Sequence, residues 1–256
     1  MEETKPTPTS TLIKNFKPNT TNYVLLLTGG INPVHRLHIG ALEIAKMGLE
    51  KEGKYVAGGY LSPSHYVYVN TKLNDKALKS KTRVKLCELA IEESENESWM
   101  FVDQFEVSQD RFVDFPSVTR RLRRYLKDLV KNSQALVEKG VKVEVLFCCG
   151  YDLFDRCALW RSSNIAVIDR PGWEKLSIFN EEDKKQFRNR NIFIFEDNEK
   201  IGDFSSSKIR EKIENDQDTS DITYNSVAKY LKQIKWLKNT RKSFFENLPS
   251  QEDDED

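Results

Sequence analysis

Thr28-Gly29-Gly30-Ile31-Asn32-Pro33-Val34-His35-Arg36-Leu37-His38 is the stretch whose residue types and spacing could do chemistry. Paired glycines let the backbone turn tightly and come close to a ligand, because no Cβ stands in the way. His35 and His38, three apart at the mouth of a helical pattern, fall on neighbouring positions of one face. A helix N-terminus presents free N–H groups and a partial positive charge, which suits phosphate. An adjacent anion favours the imidazolium form of such a histidine, while the helix end opposes it. Its work there would be charge stabilisation and positioning rather than nucleophilic attack. Metal binding is the rival, but no third ligand stands at matching spacing and His-Glu-x-x-His is absent.

A second stretch has the same character. Phe204-Ser205-Ser206-Ser207-Lys208-Ile209-Arg210 opens a helix with capping hydroxyls followed by two cations, a good anion cradle at a helix mouth. Two such cradles in one chain point to a ligand of triphosphate size. Neither a Walker A motif nor Gly-x-Gly-x-x-Gly occurs, which removes the two commonest nucleotide fingerprints. Asp197 to Gly202 resembles the start of a calcium loop, but Ile201 and Lys208 fall where ligands are required. Arg120, Arg121, Arg123, Arg124 and Lys127 form a basic run that reads as a solvated helix face ahead of an RNA-binding one.

The elements that must hold these groups follow a regular order. Tyr23–Leu27 is a continuous β-type run, as in a strand covered on both faces. Ile39, Leu42, Ala45 and Leu49 then recur at helical spacing until Gly53, and Tyr55–Leu61 is a second strand. This β-α-β order implies parallel strands joined by a right-handed crossover. Residues 62–80 show no period and read as a long polar loop, of the kind that is functional or mobile. Thr82–Glu93 reads as a helix, Trp99–Phe105 as a third short strand, and 112–139 as mostly helix. Val141–Cys149 is the strongest strand signal and ends in Gly150-Tyr151-Asp152, a loop at a sheet's carboxyl edge, where ligands of open α/β sheets bind. Ile165–Ile168 and Ile192–Phe195 read as further strands, and Ser226–Leu237 as a final helix. Residues 1–21 are expected to be a loosely held tail, 22–240 one domain, and 241–256 an acidic tail.

Composition bounds the rest. With 256 residues, one large α/β domain is the expectation. Lys+Arg and Asp+Glu both number 40, so no net field draws the chain to nucleic acid or membrane. No charged-then-apolar leader opens it and no run reaches 18 apolar residues. Cys87, Cys148, Cys149 and Cys157 form no CxxC pair and are expected to be buried reduced thiols, which suits a cytoplasmic or nuclear protein.

Both cradles, in this order and separation, resemble the nucleotidyltransferase superfamily with a His-x-x-His signature. Within it the chain is similar to the eukaryotic-type nicotinamide mononucleotide adenylyltransferases. Gly29-Gly30-Ile31-Asn32-Pro33 with His38 matches that family's glycine–Phe–Asn–Pro–His loop, and Ser62-Pro63 its strand-end Ser-Pro. Lys72 stands for its loop lysine, Gly150-Tyr151-Asp152 for its Gly-Ala-Asp turn, and Trp160 for its aromatic ring against nicotinamide. Arg170 and Gly172 match a strand-end Arg-x-Gly, and Phe204–Arg210 matches Ile-Ser-Ser-Thr-Lys-Ile-Arg. Ile31 replaces the family's Phe, Phe105 a second stacking Trp, Tyr151 a small residue, and Gly202 an Asn near the adenosine side.

The resemblance implies a Rossmann-like open parallel sheet with helices on both faces. It implies transfer of the adenylyl group of ATP, with Mg²⁺ or another divalent cation, to nicotinamide (or nicotinate) mononucleotide, giving NAD and pyrophosphate. His38, His35, Lys208 and Arg210 would be its catalytic set. Gly29, Gly30, Ile31, Ser205, Ser206 and Ile209 would join them in holding ATP. Lys72, Phe105, Gly150, Asp152, Trp160 and Arg170 would hold the mononucleotide. Membrane and nucleic-acid partners are not expected, and a homo-oligomer stays open. The alternatives are a transferase for another phosphate acceptor, of pantetheine or cytidylyl type, and a non-catalytic nucleotide-binding relative. An aminoacyl-tRNA synthetase shares a comparable loop, but this length leaves no room for the usual anticodon-binding domain.

Overall fold

The computed structural model describes residues 7–169, 179–196 and 204–236, apart from the side chains of Glu181 and Glu196. Six strands, β1 (Thr21–Gly29), β2 (Tyr55–Pro63), β3 (Met100–Val102), β4 (Lys142–Gly150), β5 (Ile165–Asp169) and β6 (Ile192–Glu196), form one sheet of order β3-β2-β1-β4-β5-β6. Every neighbouring pair is parallel. The order reverses between β1 and β4, so the crevice beyond their carboxyl ends is the switch point at which open parallel sheets bind ligands.

Strand residues alternate between the two faces, and β1 shows how they divide. Tyr23 and Leu25 join one core with α2 (Arg36–Lys51), α4 (Ser80–Glu93), α9 (Ser206–Glu214) and α10 (Asn225–Gln233). Val24 and Leu26 join the opposite core with α1 (Ser10–Asn15), α5 (Phe115–Lys131) and α6 (Gln134–Glu138). Further along that face, α7 (Tyr151–Arg156) and α8 (Glu181–Asn189) cover β4 and β5 through Phe147, Phe154, Val167 and Phe187. Strands buried on both faces read as unbroken apolar runs, which is why all six were legible. Among the described residues no helix is long and apolar enough to cross a membrane.

Four expectations need correction. The first is the supposed loop at 62–80, where β2 continues to Pro63 and α3 (Tyr66–Leu73) follows. His65 caps α3, its Nδ1 accepting the Val67 N–H at 3.2 Å. Only Val69 of that helix is buried, so it carries no apolar period to read.

The second lies at the N-terminus, where residues 7–16 are docked rather than loose. Leu12 is fully buried and Asn15 Nδ2 donates to the Ala57 and Ser98 carbonyls. A Cβ on Gly58 would stand 2.6 Å from Leu12 Cδ1, so the strap seats where a glycine leaves room.

Third, α5 begins at Phe115 behind an Asp114 cap and is broken from α6 at Asn132-Ser133. Its basic run is not wholly solvated. Arg123 donates to the Val145 carbonyl, and Arg121 turns inward to Asp103. Fourth, Cys87, Cys148 and Cys149 are buried but Cys157 is exposed, and all four are free.

Candidate active site

The glycine turn is clamped through its carbonyls. Gly29 C=O accepts the Ser64 N–H at 2.8 Å, which ties the ends of β1 and β2. Gly30 C=O accepts Arg83 Nη1 at 3.1 Å, and Asn32 C=O accepts Arg210 Nη1 at 2.8 Å. Pro33 C=O takes the Ser206 hydroxyl at 2.7 Å, and Val34 C=O the Thr223 hydroxyl at 2.8 Å. The buried Asn32 amide adds a third side, donating to Lys76 C=O at 2.8 Å and accepting the Leu78 N–H at 2.7 Å. With these oxygens engaged by neighbouring elements, the loop meets an anion with few bare carbonyls.

His35 is the N-cap of α2 and His38 lies in its first turn. The His35 N–H donates to His38 Nδ1 at 3.0 Å, and the two rings lie 3.7 Å apart. An imidazolium has no acceptor nitrogen, so this bond corresponds to a neutral ring with its proton on Nε2. His38 lines a cavity of about 220 Å³ with Gly30, Ile31, Asn32, Tyr68, Lys72, Ser206, Ser207 and Arg210.

The second cradle meets the first in that cavity, though its residues divide their duties. Ser205 caps α9, its hydroxyl accepting the Lys208 N–H at 3.2 Å. Arg210 reaches across, one nitrogen on Asn32 C=O and the other on Ser207 Oγ at 2.8 Å. Burial draws the Arg210 guanidinium below the ordinary arginine value and Glu214 opposes the shift. Lys208 is exposed in the first turn of α9 and is not among the cavity's walls. Ile209 is fully buried in the core and its N–H donates to Ser205 C=O. His35 is buried behind His38, and Gly29 stands one residue behind the wall. Lys72, expected on the mononucleotide, is an exposed wall of the same cavity.

The residues expected to hold the mononucleotide are more scattered. Gly150 ends β4 and is the N-cap of α7, whose first turn carries exposed Asp152. Trp160 is half-buried with its ring edge-on to Phe154, 6.1 Å away. Tyr151 does not narrow the crevice. It is buried beside Phe154, its hydroxyl without a hydrogen-bond partner and its pKa raised by burial first, then by Asp155 and Asp169. Phe105 is half-buried under the Arg121 guanidinium at 4.3 Å. Arg121 also bonds Thr7 and, at 3.5 Å, the inaccessible Asp103, which accepts the Thr7 hydroxyl at 2.6 Å. None of Phe105, Asp152 and Trp160 lines the cavity beside His38. Arg170, Gly172 and Gly202 lie outside the described residues, as do Asp197 and Ile201.

Sequence reasoning passed over Arg83, Thr223 and Glu106, and met Asn32 only as part of a motif. Glu106 is buried with Oε1 accepting the His65 N–H at 2.9 Å, so it anchors the cap of α3. Burial pushes its carboxyl up to about 7, against the lowering effects of that N–H, Ser64 and Arg83. Arg83 had a readable signal. It stands four residues before Cys87 and seven before Ala90, on the buried stripe of α4.

No family model matches the chain. It is 33% identical over 148 residues to the nicotinamide/nicotinic acid mononucleotide adenylyltransferase of Oryza sativa, covering 57% of this chain and 54% of that one. The Arabidopsis thaliana protein of the same name is 26% identical over 222 residues, covering 82% of this chain and 87% of its own. Adenylyltransferase 1 of Saccharomyces cerevisiae is 24% identical over 233 residues, covering 86% and 56%. The chain thus spans about half the length of the rice and yeast relatives. Among solved structures, the Plasmodium falciparum nicotinic acid mononucleotide adenylyltransferase complexed with NaAD superposes with a TM-score of 0.57 at 16% identity, covering 83% of this chain and 96% of that one. A putative nicotinate-nucleotide adenylyltransferase from Vibrio parahaemolyticus gives 0.51 at 13% identity, covering 84% and 94%. These structures share the fold, and with it the Rossmann-like parallel sheet expected above.

Proposed function

We propose that this chain, a relative of the mononucleotide adenylyltransferases with the nucleotidyltransferase fold, transfers the adenylyl group of ATP to nicotinamide or nicotinate mononucleotide. A phosphate oxygen of the mononucleotide attacks the α-phosphorus of ATP in line. The bond from that phosphorus to the bridging oxygen breaks, and pyrophosphate leaves as the dinucleotide forms. Such a displacement asks for positioning and for charge stabilisation where charge gathers.

The observation that carries this reading is one cavity beyond the carboxyl end of β1, walled by the glycine loop, His38, Lys72 and Arg210. In it the N-termini of α2 and α9 approach one anion from two sides. His38 would donate its Nε2 proton to an α-phosphate oxygen, a neutral hydrogen bond that gives up no charge. Arg210 and Lys72 would neutralise the departing pyrophosphate, with Lys208 reaching in from the exposed turn of α9. His35 would act through its backbone, by fixing the ring of His38. Gly150, Asp152 and Trp160 would hold the mononucleotide at the β4 edge, joined by Phe105 and, as the resemblance implies, by Arg170.

Among the described residues no group of three or more His, Cys, Asp or Glu could cage a metal ion. A divalent cation would come in on the triphosphate, since Mg²⁺ keeps its waters and is commonly held by substrate phosphates. When bound, it would neutralise phosphate charge.

Pyrophosphate release from ATP and Mg²⁺, measured over a panel of acceptors, tests the assignment. Nicotinamide or nicotinate mononucleotide should be the best acceptor. Preference for a pantetheine phosphate, or for CTP over ATP, would overturn the acceptor or the donor respectively.

A further inference from the structure

Arg83 is fully buried, yet among the described residues no carboxylate stands within ion-pair distance of it. A cation in a core is costly unless its N–H groups are used. All three of its nitrogens are used on the segments around the phosphate cavity. Nε donates to Leu78 C=O at 3.2 Å, Nη1 to Gly30 C=O at 3.1 Å, and Nη2 meets Ser80 Oγ at 3.5 Å. Burial lowers its pKa to about 10, which leaves it charged at neutral pH.

The bond to Gly30 sets the direction of a neighbouring donor. The cis bond among the described residues is Asn32–Pro33, so the Gly30–Ile31 peptide is trans. In a trans peptide the N–H points opposite to the C=O. With the Gly30 carbonyl drawn inward to Arg83, the Ile31 N–H is directed outward, on the cavity side. Gly30 and Ile31 both line that cavity and Arg83 does not. Ile31 has φ of 42°, a conformation that β-branched residues resist. A brace on the preceding carbonyl keeps the peptide from relaxing away.

We propose that Arg83 is a positioning residue, which holds the Gly30–Ile31 peptide so that the Ile31 N–H faces the triphosphate. This rests on the adenylyl-transfer reading. It predicts that Arg83 acts on ATP and the transition state and leaves the acceptor alone.

The test compares Arg83→Met and Arg83→Lys with Leu86→Ala, which empties a fully buried site on the same helix away from the loop. Removing one preorganised donor typically lowers kcat about 100-fold, which is the loss expected of Arg83→Met with the acceptor KM changed less than about threefold. Arg83→Lys, which keeps one donor, should recover about tenfold of that loss. Leu86→Ala should lower the melting midpoint comparably yet hold kcat within about threefold. Equal losses in Arg83→Met and Leu86→Ala at matched stability would overturn the inference, as would Arg83→Lys no better than Arg83→Met. Should Arg83→Met not fold, Arg83→Lys against Leu86→Ala decides. Calorimetric affinity for a non-hydrolysable ATP analogue gives a second readout. A wild type that binds the analogue but turns nothing over would sink the functional reading alone, and the affinity ratio of these variants would still decide the role of Arg83.

Discussion

The two halves of the crevice are built by different means. On the side proposed for the phosphates, one loop is locked to the segments around it by hydrogen bonds to five carbonyls between Gly29 and Val34, two of them from the mouth of α9. On the side proposed for the acceptor, aromatic rings lie on separate elements, Phe105 after β3 and Trp160 after α7, each packed on its own neighbour. Backbone hydrogen bonds fix a donor's direction to within a narrow angle, whereas ring packing tolerates sliding and rotation. Transition-state charge demands the first kind of precision and a planar pyridine ring tolerates the second. The phosphate side should therefore answer to single-atom changes, and the acceptor side only to loss of whole rings.

Substitutions can break this contrast, beginning with the largest effect. His38→Ala removes a preorganised donor and should cut turnover about 100- to 1,000-fold, with a melting midpoint close to wild type, read by pyrophosphate release and calorimetry. A loss below tenfold would put the phosphate side in the tolerant class.

Next comes Glu106→Gln, under the cap of α3. The folded carboxyl titrates near 7, above the ordinary glutamate value, so its protonated form is the stabilising one. Its contribution is full below the unfolded value near 4.5 and is lost as pH rises through about 7. Gln keeps the acceptor for the His65 N–H and cannot ionise. Urea unfolding at pH 8.5 should show Glu106→Gln more stable than wild type by on the order of 2–3 kcal/mol, with the gap closing at pH 4. A gap that stays constant with pH would contradict the assignment.

Trp160→Ala should raise the acceptor KM by about tenfold and leave the ATP KM unchanged, with Trp160→Phe restoring most of it. Tyr151→Phe is the smallest. It deletes a buried hydroxyl without a partner, so stability should rise by about 0.5–1 kcal/mol and both KM values should hold. A raised acceptor KM in Tyr151→Phe would show that the acceptor side, too, depends on single polar atoms.

What could be read without coordinates follows the same division. The β1–loop–α2 unit was legible because local residue types dictate it: an apolar run, paired glycines and a helical period in sequence. Ser206 and Arg210 were legible for the same reason, as a capped helix start. Ile209 was carried along by its motif, although its place on the buried face of α9 is an apolar signal in its own right. Helix α3 escaped because its first three residues, Tyr66, Val67 and Tyr68, face solvent, and the strap because Leu12 and Phe16 are too few buried residues to set a period. Arg83 and Asn32 escaped because their partners are carbonyls and amides 44–53 residues away, which side-chain identity does not announce. Lys72 is legible only as part of a motif, and it is the path of α3 that puts it on one cavity wall with His38 and Arg210.

The central claim is that the clamped loop, His38 and Arg210 transfer an adenylyl group to a pyridine mononucleotide. Incubating the protein with ATP, Mg²⁺ and nicotinamide or nicotinate mononucleotide, and following dinucleotide and pyrophosphate together, tests it most directly. The two products should form in equal amounts and be lost together in His38→Ala. Pyrophosphate without dinucleotide, or no product beside an active relative run in parallel, would contradict it.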